Sequence, residues 1–189
     1  LKEAEAFGVT GLSYGFDFKA VAARKNAVVE QLRGGVEGLL GHKNITLVRG
    51  KASFKDAHTV TVIPCFSSVI PSDAEESLQE YTADYIIIAT GSVSASLPIP
   101  GADLPGILTS REILDIEEVP QRLCVIGGGV IGLEFASIFR SFGSEVTVVE
   151  YCKDILPRFD TDLAKRLKQS LGKRGIEINT QAQVTSITE

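Results

Sequence analysis

The chain has 189 residues, 44% hydrophobic and 23% charged, with a formal net charge of −5. That balance suits an ordinary buried core and excludes a disordered chain or a basic nucleic-acid binder. The longest apolar runs, such as residues 85–89, are strand-sized and no charged-then-apolar leader opens the chain, so neither a membrane span nor secretion is expected.

Taken in chain order, the elements begin with a mixed segment, residues 1–16, punctuated by Gly8, Gly11 and Gly15. Asp17 is placed to cap a helix running to about Leu40, with Val21, Val28, Leu32, Val36 and Leu39 on one apolar face. Gly34-Gly35 weakens its last third. Residues 45–49 and 59–63 read as strands of an antiparallel hairpin or meander around the turn-rich Lys55-Asp56-Ala57-His58. Residues 71–80 read as a polar surface loop, and Tyr85 to Thr90 as a buried strand ending in Gly91-Ser92. Pro98, Pro100 and Pro105, with Gly101 and Gly106 among them, mark residues 98–106 as a linker between domains. Ser110 is placed to cap a short helix ending before Pro120.

A regular alternation follows. Strand 122–126 leads to helix 130–142, stopped by Gly143, and then to strand 145–150. A helix starts at Asp160 or Thr161 with Leu163, Leu167 and Leu171 stacked at i, i+4. Strands at 176–179 and about 182–188 complete the chain. Alternating strands and helices predict an α/β fold with a parallel, Rossmann-type sheet.

The run Gly127-Gly128-Gly129-Val130-Ile131-Gly132-Leu133-Glu134 fits G-x-G-x-x-G, after a strand and opening a helix. Gly127 allows the tight turn, Gly129 lets a pyrophosphate approach the backbone, and Gly132 lets the helix pack close to the sheet. The free amides and dipole of the helix start then hold the phosphates. Glu150 closes the next strand, where a carboxylate accepts hydrogen bonds from the adenosine ribose hydroxyls. It also repels a 2′-phosphate, and no Arg stands beside it, so NAD is favoured over NADP. FAD uses the same fingerprint and is not excluded by it. Cys65, Cys124 and Cys152 show no CxxC or zinc spacing and read as reduced thiols, with no metal site expected. Leu1 stands first and no methionine occurs, which reads as a segment of a longer protein.

Further segments carry a resemblance: Gly50-Lys51-Ala52 after a strand, residues 85–92 (YIIIATGS), residues 127–134, residues 146–150 and Ile155-Leu156-Pro157. In order and spacing they resemble the flavin-dependent pyridine nucleotide–disulfide oxidoreductases, most of all the dihydrolipoamide dehydrogenases, from about residue 6 to 189. The resemblance implies FAD and NAD as cofactors. It implies FAD contacts at Gly50, Ala52, Thr90, Gly91 and Ser92. It implies NAD contacts at Gly127, Gly128, Gly129, Val130, Ile131, Gly132, Glu150 and Val184, with Glu134 near the nicotinamide–flavin junction.

It also implies two domains. Residues 1–97 are expected to be the C-terminal part of an FAD-binding domain with an antiparallel meander. Residues 98–189 are expected to be an NAD-binding Rossmann domain cut before its last strands. The family's first G-x-G-x-x-G, its redox cysteine pair, its second flavin-binding Gly-Asp segment and its His–Glu base are absent. His42 and His58 lack a Glu five residues on and are expected in surface loops. No catalytic residue is therefore expected here, and the chain by itself is expected to be inactive.

The implied parent oxidises a small-molecule or lipoyl-domain dithiol, as a homodimer within a 2-oxoacid dehydrogenase complex. It would lie in the cytoplasm, or in the mitochondrial matrix if eukaryotic. The alternatives are a stand-alone NAD-binding module without catalysis, or a relative of mercuric reductase or NADH oxidase.

Overall fold

The computed structural model describes residues 15–64 and 78–188. They group into two compact units, one holding residues 15–26 and 94–188, the other residues 27–64 and 78–93.

The first unit is built on three parallel strands, β4 (Arg122–Ile126), β5 (Glu145–Glu150) and β6 (Ile176–Thr180), in that order across the sheet. Helix α2 (Val130–Phe142) joins β4 to β5, and α3 (Thr161–Lys173) lies between β5 and β6. A parallel pair cannot be joined by a tight turn, so each connection is long enough to carry a helix. α2 buries Leu133, Ala136 and Phe139, three residues apart on one face, with Val146 and Val148 of β5 in the same core. Gly143 ends α2 with φ 107°, and its N–H donates back to the C=O of Arg140. Asp160 caps α3, its Oδ1 accepting from the amides of Asp162 at 2.9 Å and Leu163 at 3.1 Å.

The stripe expected on α3 is only partly its buried face. Leu171 is in the core, but Leu163 is 63% exposed and Ala164, outside the stripe, is buried beside Leu171. Residues seven apart lie on one line of a helix, whereas Leu163 sits about 100° round from Ala164.

The second unit contains the antiparallel sheet β1 (Gly50–Phe54), β2 (Thr59–Pro64), β3 (Gln79–Thr82), with β2 in the middle. The first strand of the hairpin is thus residues 50–54, not 45–49. The turn decides this: Asp56 Oδ1 accepts the His58 amide at 2.8 Å, and the Lys55 amide donates to the Thr59 carbonyl at 2.9 Å. So tight a closure pairs Phe54 with Val60 directly, and Ile45 and Leu47 are left about half exposed without a ladder. The expected loop 71–80 ends in strand, since Gln79 and Glu80 open β3; residues 71–77 lie outside the described set.

Three further expectations are corrected. Residues 85–90 form no strand, and Tyr85 and Ile87 are 91% and 89% exposed. A run apolar on both faces needs a strand beside it and layers above and below, and none pairs with it among the described residues. Residues 182–188 are also not a strand. Gln181 turns the chain with φ 56°, and the following amides bond singly, Ala182 to the Glu150 carbonyl and Ile187 to the Pro100 carbonyl. Ser110 is not a cap. A 3-10 helix, Glu112–Asp115, is opened by Thr109, whose amide donates to Glu112 Oε2 at 2.8 Å and whose hydroxyl oxygen accepts the Arg111 amide.

Helix α1 (Phe18–Leu40) has the expected extent. The amides of Lys19 and Ala20 donate to Asp17 Oδ1, which is the expected cap. None of its residues is buried, and the expected apolar face is open: Leu32 is 67% and Leu39 73% exposed. Among the described residues its start is the part that packs: Phe18 meets Phe139 and Phe142 of α2, and Lys25 pairs with Asp115 at 3.0 Å.

Candidate functional site

At the end of β4 the chain passes through Gly127, Gly128 and Gly129 into α2. Gly127 has φ 111°, open to glycine and rarely to other residues. Its amide still donates to the Val149 carbonyl of β5 at 2.8 Å, so the turn begins while the chain is tied to the sheet. A Cβ on Gly132 would strike the Gly127 carbonyl oxygen and press on Val125, so α2 lies against the turn as closely as a glycine permits. Gly129 faces open space, where a Cβ would meet nothing within 4 Å.

No side chain caps α2. Among the described residues, the amides of Gly129, Val130, Ile131 and Gly132 have no acceptor. Such orphan donors at the positive end of a helix dipole suit an anion. Val130 and Ile131 are exposed beside them.

Glu150 ends β5 and is only 8% exposed. Its Oε2 accepts the Gly128 amide at 2.6 Å, and its Oε1 accepts the Cys152 amide at 2.6 Å. Burial pushes this carboxyl up. The amides of Cys152, Gly128 and Tyr151 outweigh that and hold it below the usual carboxylate range. It is therefore charged near neutral pH, with lone pairs left for further donors. The Cys152 thiol shifts the other way: its hydrogen bond to Glu150, with burial, pushes it up.

The remaining expected residues are placed as follows. Glu134 is exposed on α2. Val184 is half-buried in the strandless segment after β6, which begins where the Ala182 amide meets the Glu150 carbonyl at 3.0 Å. Gly50 pairs with Pro64, and a Cβ there would strike the Ile63 carbonyl and Val62, so the hairpin itself demands the glycine. Ala52 is exposed opposite Val62. Thr90, Gly91 and Ser92 are exposed and outside any strand, with Gly91 at φ 74°. His42 and His58 are both exposed.

The site also holds residues to which the sequence reading gave no part. Ile155 is fully buried against Gly128, and the Leu156 amide donates to the Gly128 carbonyl at 2.9 Å. No residue type signalled this part, since a residue before proline is expected to be extended. Among the described residues no cluster of His, Cys, Asp and Glu is placed to hold a metal ion, and no helix is long and apolar enough to cross a membrane.

A parallel sheet whose first strand turns through glycines into an uncapped helix, with an acid ending the second strand, defines a Rossmann-like α/β protein. The sequence pattern described as pyridine nucleotide-disulphide oxidoreductase matches residues 4–189. The chain is 38% identical over its whole length to a dihydrolipoyl dehydrogenase of Chlamydia pneumoniae, covering 38% of that protein. It is 37% identical to one of Acholeplasma laidlawii, covering 54% of it. Among solved structures it resembles a variant of the HOCl-induced flavoprotein disulfide reductase RclA from Escherichia coli in a Cu(II) complex. There the TM-score is 0.76 at 36% identity, over 92% of this chain and 38% of that one. The chain belongs to the pyridine nucleotide–disulfide oxidoreductase family, whose cofactors are FAD and NAD(H).

The two cofactors fit the described residues unequally. The open face at Gly129, the four free amides and the charged Glu150 suit a dinucleotide diphosphate and its ribose. The expected flavin contacts are exposed and form no cradle of their own.

Proposed function

We propose that the turn at Gly127–Gly129, the start of α2 and Glu150 seat NAD in an FAD- and NAD-dependent dihydrolipoamide dehydrogenase. Residues 98–189 would be its NAD-binding domain and residues 1–97 part of its FAD-binding domain. The reaction takes a dihydrolipoyl dithiol and NAD⁺ to the cyclic disulfide, NADH and a proton. The flavin and nicotinamide carry the electrons. This chain's residues bind and orient the nucleotide, with Glu134 and Val184 at the two ends of its site. The dithiol substrate, a homodimeric assembly in a 2-oxoacid dehydrogenase complex and a cytoplasmic location belong to the same reading.

One observation carries it. Glu150, buried and charged, is held on the Gly128 amide at 2.6 Å, beside free donors for a diphosphate. A carboxylate so fixed receives ribose hydroxyls and repels a 2′-phosphate. Titration of the 189-residue chain with NADH and NADPH, followed by nucleotide fluorescence, tests this. NADH should bind at least about tenfold more tightly, and Glu150→Ala should erase most of the difference. Equal affinities in the unaltered chain would refute the reading. The chain alone should not form NADH from a dithiol.

A second reading, a flavoprotein disulfide reductase with another substrate, is favoured by the likeness to the Escherichia coli enzyme. It uses the same nucleotide site, and assays of the parent protein with dihydrolipoamide against other dithiols separate the two.

A further inference from the structure

The segment after β5 does something that the dinucleotide reading does not use. Leu156 has φ 51°, although it is not glycine and precedes Pro157. Both facts oppose that conformation: L residues avoid positive φ, and a residue before proline prefers an extended backbone. A backbone so placed persists only where its surroundings hold it. Here they are Ile155, fully buried, and the bond from the Leu156 amide to the Gly128 carbonyl at 2.9 Å.

That bond falls on a peptide that matters. In a trans peptide the C=O and the next N–H point in opposite directions, and no cis bond occurs among the described residues. The Gly128 carbonyl points at Leu156, so the Gly129 amide points away from it, and among the described residues it has no acceptor there. Gly128 is also wedged from the side, because a Cβ there would lie 3.0 Å from both Glu150 Oε2 and Ile155 Cγ2. Glu150 takes the amide of Gly128, Leu156 takes its carbonyl, and Ile155 closes the remaining face.

Resting on the dinucleotide reading above, we infer that Ile155 and Leu156 are positioning residues. They clamp the Gly128–Gly129 peptide so that the Gly129 amide is presented to the nucleotide diphosphate. Neither residue needs to touch the ligand. The clasp acts through the turn, and the left-handed backbone of Leu156 is what aims its amide.

The test uses the 189-residue chain, labelled for amide NMR, with ADP as the diphosphate probe and adenosine as the probe without phosphates. Leu156→Val keeps the amide but resists positive φ, and should weaken ADP binding about tenfold while leaving adenosine within twofold. Leu156→Gly keeps the amide and accepts positive φ, and should leave both probes within about twofold. Ile155→Ala should follow Leu156→Val. If either of those variants fails to fold, the milder Ile155→Val should show a smaller loss confined to ADP. Equal losses for both probes, no loss for ADP, or a Leu156→Gly variant as impaired as Leu156→Val would each overturn the clasp. If the unaltered chain binds neither probe, the function proposed above fails. The clasp then rests on hydrogen exchange at the Leu156 amide: slow exchange in the unaltered chain that becomes fast in Leu156→Val supports it, and fast exchange in the unaltered chain overturns it.

Discussion

The parallel unit and the antiparallel unit differ in what they bury. Around β4–β6, side chains from α2, β5, α3 and β6 close a continuous core, with Ala136, Val148 and Ile155 fully inaccessible. In the unit of residues 27–64 and 78–93, Val62 is the only described hydrophobic residue that is buried. Its strands are well paired and it holds residues 27–40 of α1 as regular helix, yet the apolar surfaces they present stay open. Secondary structure and a core are thus separable achievements. Local pattern and hydrogen bonding suffice for the first, while the second needs partners on the facing side.

Core truncation presses hardest on this contrast. Leu133→Ala, on the buried face of α2, should cost about 2–5 kcal/mol in urea denaturation. Leu32→Ala, on the open face of α1, should stay within about 0.5 kcal/mol. A cost for Leu32→Ala near that of Leu133→Ala would break the comparison, because that face would then be covered in solution.

Within the parallel unit, two glycines should separate packing from binding. Gly132→Ala forces a Cβ against the Gly127 carbonyl and should destabilise by about 1–3 kcal/mol. Gly129→Ala meets only open space, so its melting should change little while NADH affinity falls by about tenfold or more. If Gly129→Ala binds NADH normally, the open face is not where the diphosphate sits.

A smaller effect lies in the acid limb of stability. The folded carboxyl of Glu150 titrates below its ordinary value of 4.5, so its contribution is fully present above that pH and is lost as pH falls through the folded value. The stability gap between the unaltered chain and Glu150→Gln should be widest near neutrality and close in acid. A gap independent of pH would show that the amides of Gly128 and Cys152 do not favour the charged form. The smallest effect expected is at Cys152, whose thiol is pushed up by its bond to Glu150. Glu150→Gln should speed its alkylation at pH 8 by about threefold, read peptide by peptide in a mass spectrometer.

The same contrast explains what was legible in the sequence. β4, α2, β5 and β6 lie within a residue of their expected bounds and α3 starts where expected, because each carries local signals: Asp160 at a helix start, Gly143 at a helix end, strand runs of β-branched residues. The glycine turn and Glu150 were readable for the same reason, a fixed spacing on regular elements. What failed depended on neighbours. Residues 85–90 have the composition of an inner strand and no described strand beside them. Residues 45–49 alternate well but lose the pairing to residues 50–54, since the turn at Lys55–His58 sets the register. The part played by Ile155 and Leu156 rests on one backbone hydrogen bond and one positive φ, neither of which has a residue-type code.

The uncapped start of α2 has a thermal corollary. Four peptide donors without acceptors among the described residues offer bonds that a phosphate group would complete. Anything that completes them only in the folded state adds to its stability by mass action, about 2.7 kcal/mol at a hundredfold excess over Kd. On the proposed nucleotide reading, the melting point of this chain should therefore rise with the nucleotide around it and be lowest when phosphate compounds are washed away.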